Sequence, residues 1–201
     1  MPTSLPDAAA RVPSPTSISV RESRAEDLPA IAAIYAVHVT EGTASYELVA
    51  PSLEEIATRR EAVLAAGWPW LVAEADGHVI GYAYASLFRP RGAYRYCVED
   101  SIYLAPHVQR LGAGRQLLTE LMARCEAQGA RQMVAVIGDA AHLASSIALH
   151  RALGFHDAGV LKASGWKFGR WLDTVLMQRA LGDGDASDAD AAAAPPARSA
   201  S

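Results

Sequence analysis

The sequence predicts an α/β fold, a mixed β-sheet with helices on its faces, and three observations carry that expectation. Residues 101–104 (SIYL) read as a strand that runs through a turn opened by Pro106 into a helix. That helix, beginning at Gly112, sets Leu117, Leu118, Leu121, Met122 and Cys125 on one face. Earlier, Asp76-Gly77 stands between two apolar stretches, which is a hairpin signal. The whole chain reads as helices first, a hairpin, a long strand, then helix, strand, helix, strand, strand, an order suited to a sheet covered by helices.

In order, residues 18–21 (ISVR) form a short alternating strand. The acidic Glu26 and Asp27 then lead into a helix carrying Leu28, Ile31, Ile34, Tyr35 and His38, where negative charge suits the helix dipole. His38 reads as a polar residue near a helix end, because no Cys or second His stands at metal spacing. A polar loop, residues 40–46, follows. Ser52 with Glu55 three positions on resembles a capping box opening a second helix, which ends near Ala66-Gly67. Residues 70–74 and 79–84 are the hairpin strands, and residues 89–94 (RPRGAY) lead to the long strand. After the central helix come a strand at 133–137, a helix at about 143–153 and final strands around 160–161 and 171–177.

The chain has 201 residues, 51% of them hydrophobic, enough for one domain with a substantial core. Residues 1–17 and 182–201, rich in Pro, Ser, Ala and Asp without an apolar period, are expected to be loose tails around a domain at 18–181. No apolar run reaches the roughly 20 residues of a membrane span, and the N-terminus lacks a secretory apolar core, so a cytoplasmic protein without a membrane partner is expected. Two cysteines, Cys97 and Cys125, make no disulfide framework. A net charge of −4 gives no general footprint for nucleic acid.

The turn at Gly112-Ala113-Gly114 is a candidate phosphate cradle. Helix N-termini leave amide donors unpaired, glycine lets a ligand approach the backbone, and Arg110 and Arg115 add charge. A P-loop is excluded because no Lys follows either glycine, and Leu117 stands where a dinucleotide fingerprint needs its third glycine. The remaining pattern, Gln109-Arg110-Leu111-Gly112-Ala113-Gly114 between a strand and a long helix, resembles the acetyl-CoA signature of the GNAT N-acetyltransferase superfamily. Five segments in order, residues 89–94, 98–104, 134–138, 149–155 and 165–173, look like its phosphinothricin acetyltransferase group, which includes acetyltransferases of methionine sulfone and sulfoximine.

The resemblance implies a mixed, mostly antiparallel central sheet flanked by helices, acetyl-CoA as co-substrate, no metal, a small-molecule amine as acceptor and a homodimer. It puts Glu99 at the general-base position. For His150 two roles stay open, protonation of the leaving thiolate or packing at its helix end. Backbone contacts to the pantetheine would come from Ile102, Tyr103 and Leu104, and pyrophosphate contacts from Arg110, Leu111, Gly112, Ala113, Gly114 and Arg115. His142 stands near the place of a pantetheine-binding Asn. Acceptor contacts would come from Arg89, Arg91, Gly92, Ala93 and Tyr94, with Tyr46 on the opposite wall. Cys97, two residues before Glu99, would also allow an acyl-cysteine route. An acyl-CoA-binding regulator and a protein or peptide N-acetyltransferase are the alternative functions.

Overall fold

The computed structural model describes residues 17–108, 111–139 and 141–189. Seven strands form one sheet in the order β1-β2-β3-β4-β5-β7-β6. They are β1 Ile18–Glu22, β2 Trp70–Ala75, β3 His78–Leu87, β4 Cys97–Leu104, β5 Gln132–Gly138, β6 His156–Lys167 and β7 Arg170–Ala180. The β4–β5 pair is parallel and the other five pairs are antiparallel. The helices are α1 Leu28–Thr40, α2 Leu53–Ala65, α3 Ala113–Ala127 and α4 Ala144–Ala152, and none is long and apolar enough to cross a membrane.

Local chemistry accounts for the element ends. The Arg21 guanidinium donates to both oxygens of Asp27 at 2.7 and 2.8 Å, tying β1 to the 3-10 turn that starts α1. Ser52 caps α2 by accepting from the Glu55 amide at 3.1 Å, but the Glu55 carboxylate turns to Arg59, so only half of the expected capping box forms. Asp76 and Gly77 both take left-handed backbone, with φ of 50° and 77°, as a two-residue hairpin turn requires. The final strands are longer than expected. Phe168 and Gly169 repeat the left-handed pair, and β6 absorbs two register shifts, with Ala163 at φ 49°.

Alternation along β4 decides which helix meets which side chain. Tyr103 packs edge-on against Tyr35 of α1, with ring centroids 5.0 Å apart. On the opposite face Ile102 and Leu104 approach Gly114 of α3, and the expected apolar stripe of α3 is buried against the sheet. Glu99 therefore shares a face with Tyr103, and Asp100 points to the α3 side.

Residues 182–189 turn back on the domain, where Arg131 donates to Gly184 O at 2.8 Å and to Ser187 Oγ at 2.6 Å. Expectations for residues 1–16 and 190–201 lie outside the described residues.

Candidate active site

The parallel pairing of β4 with β5 runs only from Cys97↔Gln132 to Asp100↔Ala135, after which the strands part. Residues 101–104 stay paired with β3 on one side but have no strand beside them on the other among the described residues. A cleft of about 880 Å³ opens there. It joins the turn before α3 to the Glu99 segment.

At one end lie Gly112, Gly114 and Arg115. Gly112 is the N-cap of α3 with φ 87°, no side chain caps the helix, and a Cβ there would meet nothing within 4 Å. Among the described residues only the backbone conformation demands glycine there, and none fills the space over the turn. Gly114 is different, since a Cβ would come within 3.2 Å of Leu149 Cδ2. Leu111 and Ala113 send their side chains toward the core, so any part they take in the turn comes from backbone. Arg110 lies outside the described residues.

Along the middle run Ile102, Tyr103 and Leu104, facing Val136 across the gap. His38, read from sequence as a helix-end residue, also lines the cleft, and its Nε2 donates to Leu104 O at 2.8 Å. One of the expected backbone acceptors is therefore already engaged. His142, expected near the pantetheine, lies beside the cleft. Its ring is largely exposed, bonds Asp139 Oδ1 at 3.0 Å and stays off the cleft wall, whereas Leu143, Ser145 and Ser146 line it.

At the other end Glu99 is half-buried. Burial first, and the Asp100 charge second, push its carboxyl above the usual range, against an opposing pull from Arg89. Cys97 shares its strand face, but burial and then Glu99 raise its thiol, so a nucleophilic thiolate is disfavoured there. Tyr46 forms part of the wall. Its ring lies over Gly138 and Gly165, and its hydroxyl donates to Asp173 O at 3.3 Å and lies 2.8 Å from Thr174 Oγ1. Asp139 anchors that wall by accepting from Thr43 at 2.7 Å and from Arg170 at 3.1 Å. These contacts, the Arg170 pair above all, hold its carboxyl well below the usual range.

Arg89, Arg91, Gly92, Ala93 and Tyr94, the expected acceptor contacts, stand outside the cleft lining of the single chain. They form an exposed turn beyond β3, with Arg89 over the Phe88 ring at 4.2 Å and Tyr94 edge-on to Phe88. None lines the cleft, and their link to it is the Arg89 field on Glu99. Sequence reasoning missed Glu47, which lines the cleft and accepts from Tyr35 at 2.9 Å and Arg59 at 2.6 Å. Its place directly after Tyr46 was the available signal.

His150 is buried at 1% exposure in the cleft wall. Its Nδ1 donates to Ser146 O at 2.7 Å and its Nε2 lies 3.1 Å from Asp100 Oδ2. Both ring nitrogens are thus engaged, and Asp100 is a second residue that sequence reasoning passed over.

The acetyltransferase (GNAT) family profile matches residues 33–155. The chain is 54% identical over 185 residues to phosphinothricin N-acetyltransferase of Alcaligenes faecalis, covering 90% of this chain and 93% of that one. It is 42% identical over 165 residues to L-methionine sulfoximine/L-methionine sulfone acetyltransferase of Pseudomonas paraeruginosa, covering 81% and 94%. Among solved structures, a GNAT superfamily phosphinothricin acetyltransferase from Sinorhizobium meliloti in complex with AcCoA superposes with a TM-score of 0.84 at 52% identity, covering 87% of this chain and 94% of that one.

Proposed function

From the premise that this chain belongs to the acetyltransferase (GNAT) family, we propose that it moves the acetyl group of acetyl-CoA to the α-amine of a small amino acid analogue. The acceptor is of the phosphinothricin, methionine sulfone or methionine sulfoximine type, and transfer is direct within a ternary complex. Similarity over most of the chain to the two relatives named above supports the acceptor class. The observation that carries the reading is a single cleft joining the open, uncapped start of α3 to a half-buried carboxyl.

The residues present suit acetyl-CoA. The unpaired edge of residues 101–104 offers backbone groups to the amides of a pantetheine arm, and the Gly112 turn with Arg115 offers donors and charge to a pyrophosphate. Acetyl-CoA supplies an activated thioester. Glu99 takes a proton from the acceptor ammonium, either directly or through a water, and its raised affinity for protons suits it to that work near neutral pH. The freed amine nitrogen bonds to the acetyl carbon, the C–S bond breaks with its electron pair on sulfur, and the second nitrogen proton neutralises the thiolate. The raised Cys97 thiol argues against an acyl-cysteine route.

A homodimer through the β6–β7 hairpin belongs to the same reading. Trp166, Phe168 and Trp171 are 55%, 57% and 64% exposed, and Val160 and Leu161 lie open on the same hairpin. So much exposed aromatic surface on one arm suits a second copy of the chain.

The test is thiol release from acetyl-CoA with phosphinothricin, methionine sulfone, methionine sulfoximine and ordinary amino acids, for the wild type and Glu99→Gln. Wild type should acetylate one of the analogues. The variant should lose at least about a hundredfold in kcat while still binding acetyl-CoA. Transfer to peptides alone, transfer to no amine, or full activity in Glu99→Gln would sink the proposal.

A further inference from the structure

Given acetyl transfer as proposed above, we propose that Asp100 is a positioning residue for the transfer step, fixing the His150 ring in one orientation and holding it as an imidazolium at the wall of the cleft. Asp100 and Glu99 are neighbours on β4 and therefore face opposite sides of the sheet, so one strand supplies a base to the acceptor side and a counter-ion to the α4 side.

Hydrogen-bond chemistry settles most of the pair. The Ser146 carbonyl 2.7 Å from Nδ1 can only accept, so Nδ1 keeps its hydrogen. Nε2 then faces Asp100 Oδ2 at 3.1 Å, with both side chains buried. Two bare lone pairs at that distance would repel, so one proton lies between them. An ion pair, and a neutral pair with the proton on Asp100, satisfy that contact alike; we take the ion pair, which the NMR measurement below tests. Burial alone would strip the proton from His150, but the hydrogen bond and charge of Asp100 outweigh it and leave the imidazole raised.

Among the described residues Asp100 Oδ1 is buried without a hydrogen-bond partner. A carboxylate kept only for stability is expected to have both oxygens satisfied, because an orphaned buried acceptor is costly.

Among the described residues Arg115 lines the same cleft and Arg89 pulls on Glu99, but neither bonds to Asp100 or His150. On β4, Glu99 is pushed up partly by Asp100, and on α3 the buried Cys125 thiol is raised mainly by burial with the Asp100 charge adding to it. On α4, Arg151 is engaged by Asp157 at 2.9 Å, and beyond its end the uncharged Phe155 ring stands perpendicular to His150 with centroids 5.0 Å apart. With both ring hydrogens committed, His150 acts by its charge. As the C–S bond breaks and its electron pair moves to sulfur, a fixed positive charge in the cleft wall stabilises the developing thiolate.

Asp100→Asn in the full chain separates this role from simple packing. The carboxamide N–H would donate to a bare Nε2 and leave a neutral ring. Activity rises with pH as Glu99 loses its proton and falls as His150 loses its own. Removing the Asp100 charge makes both protons easier to lose, so both limbs of the kcat profile should move to lower pH. With the same acceptor in both proteins, titration of the amine cancels. At pH 8 kcat should fall about tenfold or more, with KM for acetyl-CoA within about twofold. Nitrogen-15 NMR of histidine-labelled wild type should show both His150 nitrogens protonated at pH 7.5, and that reading stands even if the variant does not fold. A neutral His150 in wild type, or a variant profile that overlays the wild type, overturns the proposal. Wild type that transfers to no amine would instead defeat the acetyl-transfer reading, and the NMR result would still decide the state of the pair.

Discussion

Tyr46 is wedged between two glycines, and substituting one of them moves a cleft wall without touching any group that handles protons. In Gly165→Ala the new Cβ would lie 2.6, 2.8 and 2.9 Å from Tyr46 Cε2, Cζ and Cδ2, the three atoms nearest to it. Carbon contacts are comfortable from about 3.5 Å, so the ring must retreat by about 1 Å. Its hydroxyl would then leave Thr174 Oγ1 and Asp173 O. Gly165 has no positive φ, so alanine meets no backbone strain and the effect is steric. Because Tyr46 is 38% exposed its ring has room to swing, and the stability loss should stay near 1–2 kcal/mol, about one hydrogen bond plus mild overpacking. A wall displaced by about 1 Å can lower turnover by up to about a hundredfold. Thiol release with acceptor varied at saturating acetyl-CoA, and then the reverse, should show kcat/KM for the acceptor down about 30- to 100-fold and KM for acetyl-CoA changed less than about twofold. In a Tyr46→Ala background the second substitution should cost almost nothing, since the obstructing ring is gone. Equal losses for both substrates, or a loss that persists without Tyr46, would refute the reasoning.

Gly112→Ala should act at the opposite end. It meets no clash but forces alanine to φ 87°, costing about 1–2 kcal/mol by urea unfolding, and it should raise KM for acetyl-CoA while leaving KM for the acceptor unchanged. Trp171→Glu puts a charge on the exposed hairpin arm, and sedimentation velocity should show a wild-type dimer and a monomeric variant. A wild type that sediments as a monomer at micromolar concentration would dismiss the hairpin interface.

What could be read from the sequence was what local chemistry decides. The apolar stripe of α3, the Asp76-Gly77 turn and the glycine that opens α3 each follow from a few neighbouring residues, and all stand where periodicity and turn chemistry put them. Contacts between distant segments were not legible. His150 meets Asp100 across 50 residues and Thr43 meets Asp139 across 96, and nothing near either member announces the other. His142 was assigned by its place in a motif, which gave no sign of its bond to Asp139. The Arg89 to Tyr94 turn sits apart from the cleft because the 3-10 turn Gly92–Tyr94 packs on Phe88. The full length of β6 was hidden because that strand is almost wholly exposed and lacks an alternating apolar pattern.

The parting of β4 and β5 makes the sheet two ladders joined along a short seam, with residues 101–104 projecting past it on one side and 136–138 on the other. The depth of the slot is thus counted in residues of strand left over, and it is set by where the pairing stops. One more bonded rung at the seam would shorten the slot from its closed end, just beside Glu99 and Asp100, before it disturbed the glycine turn at the far end.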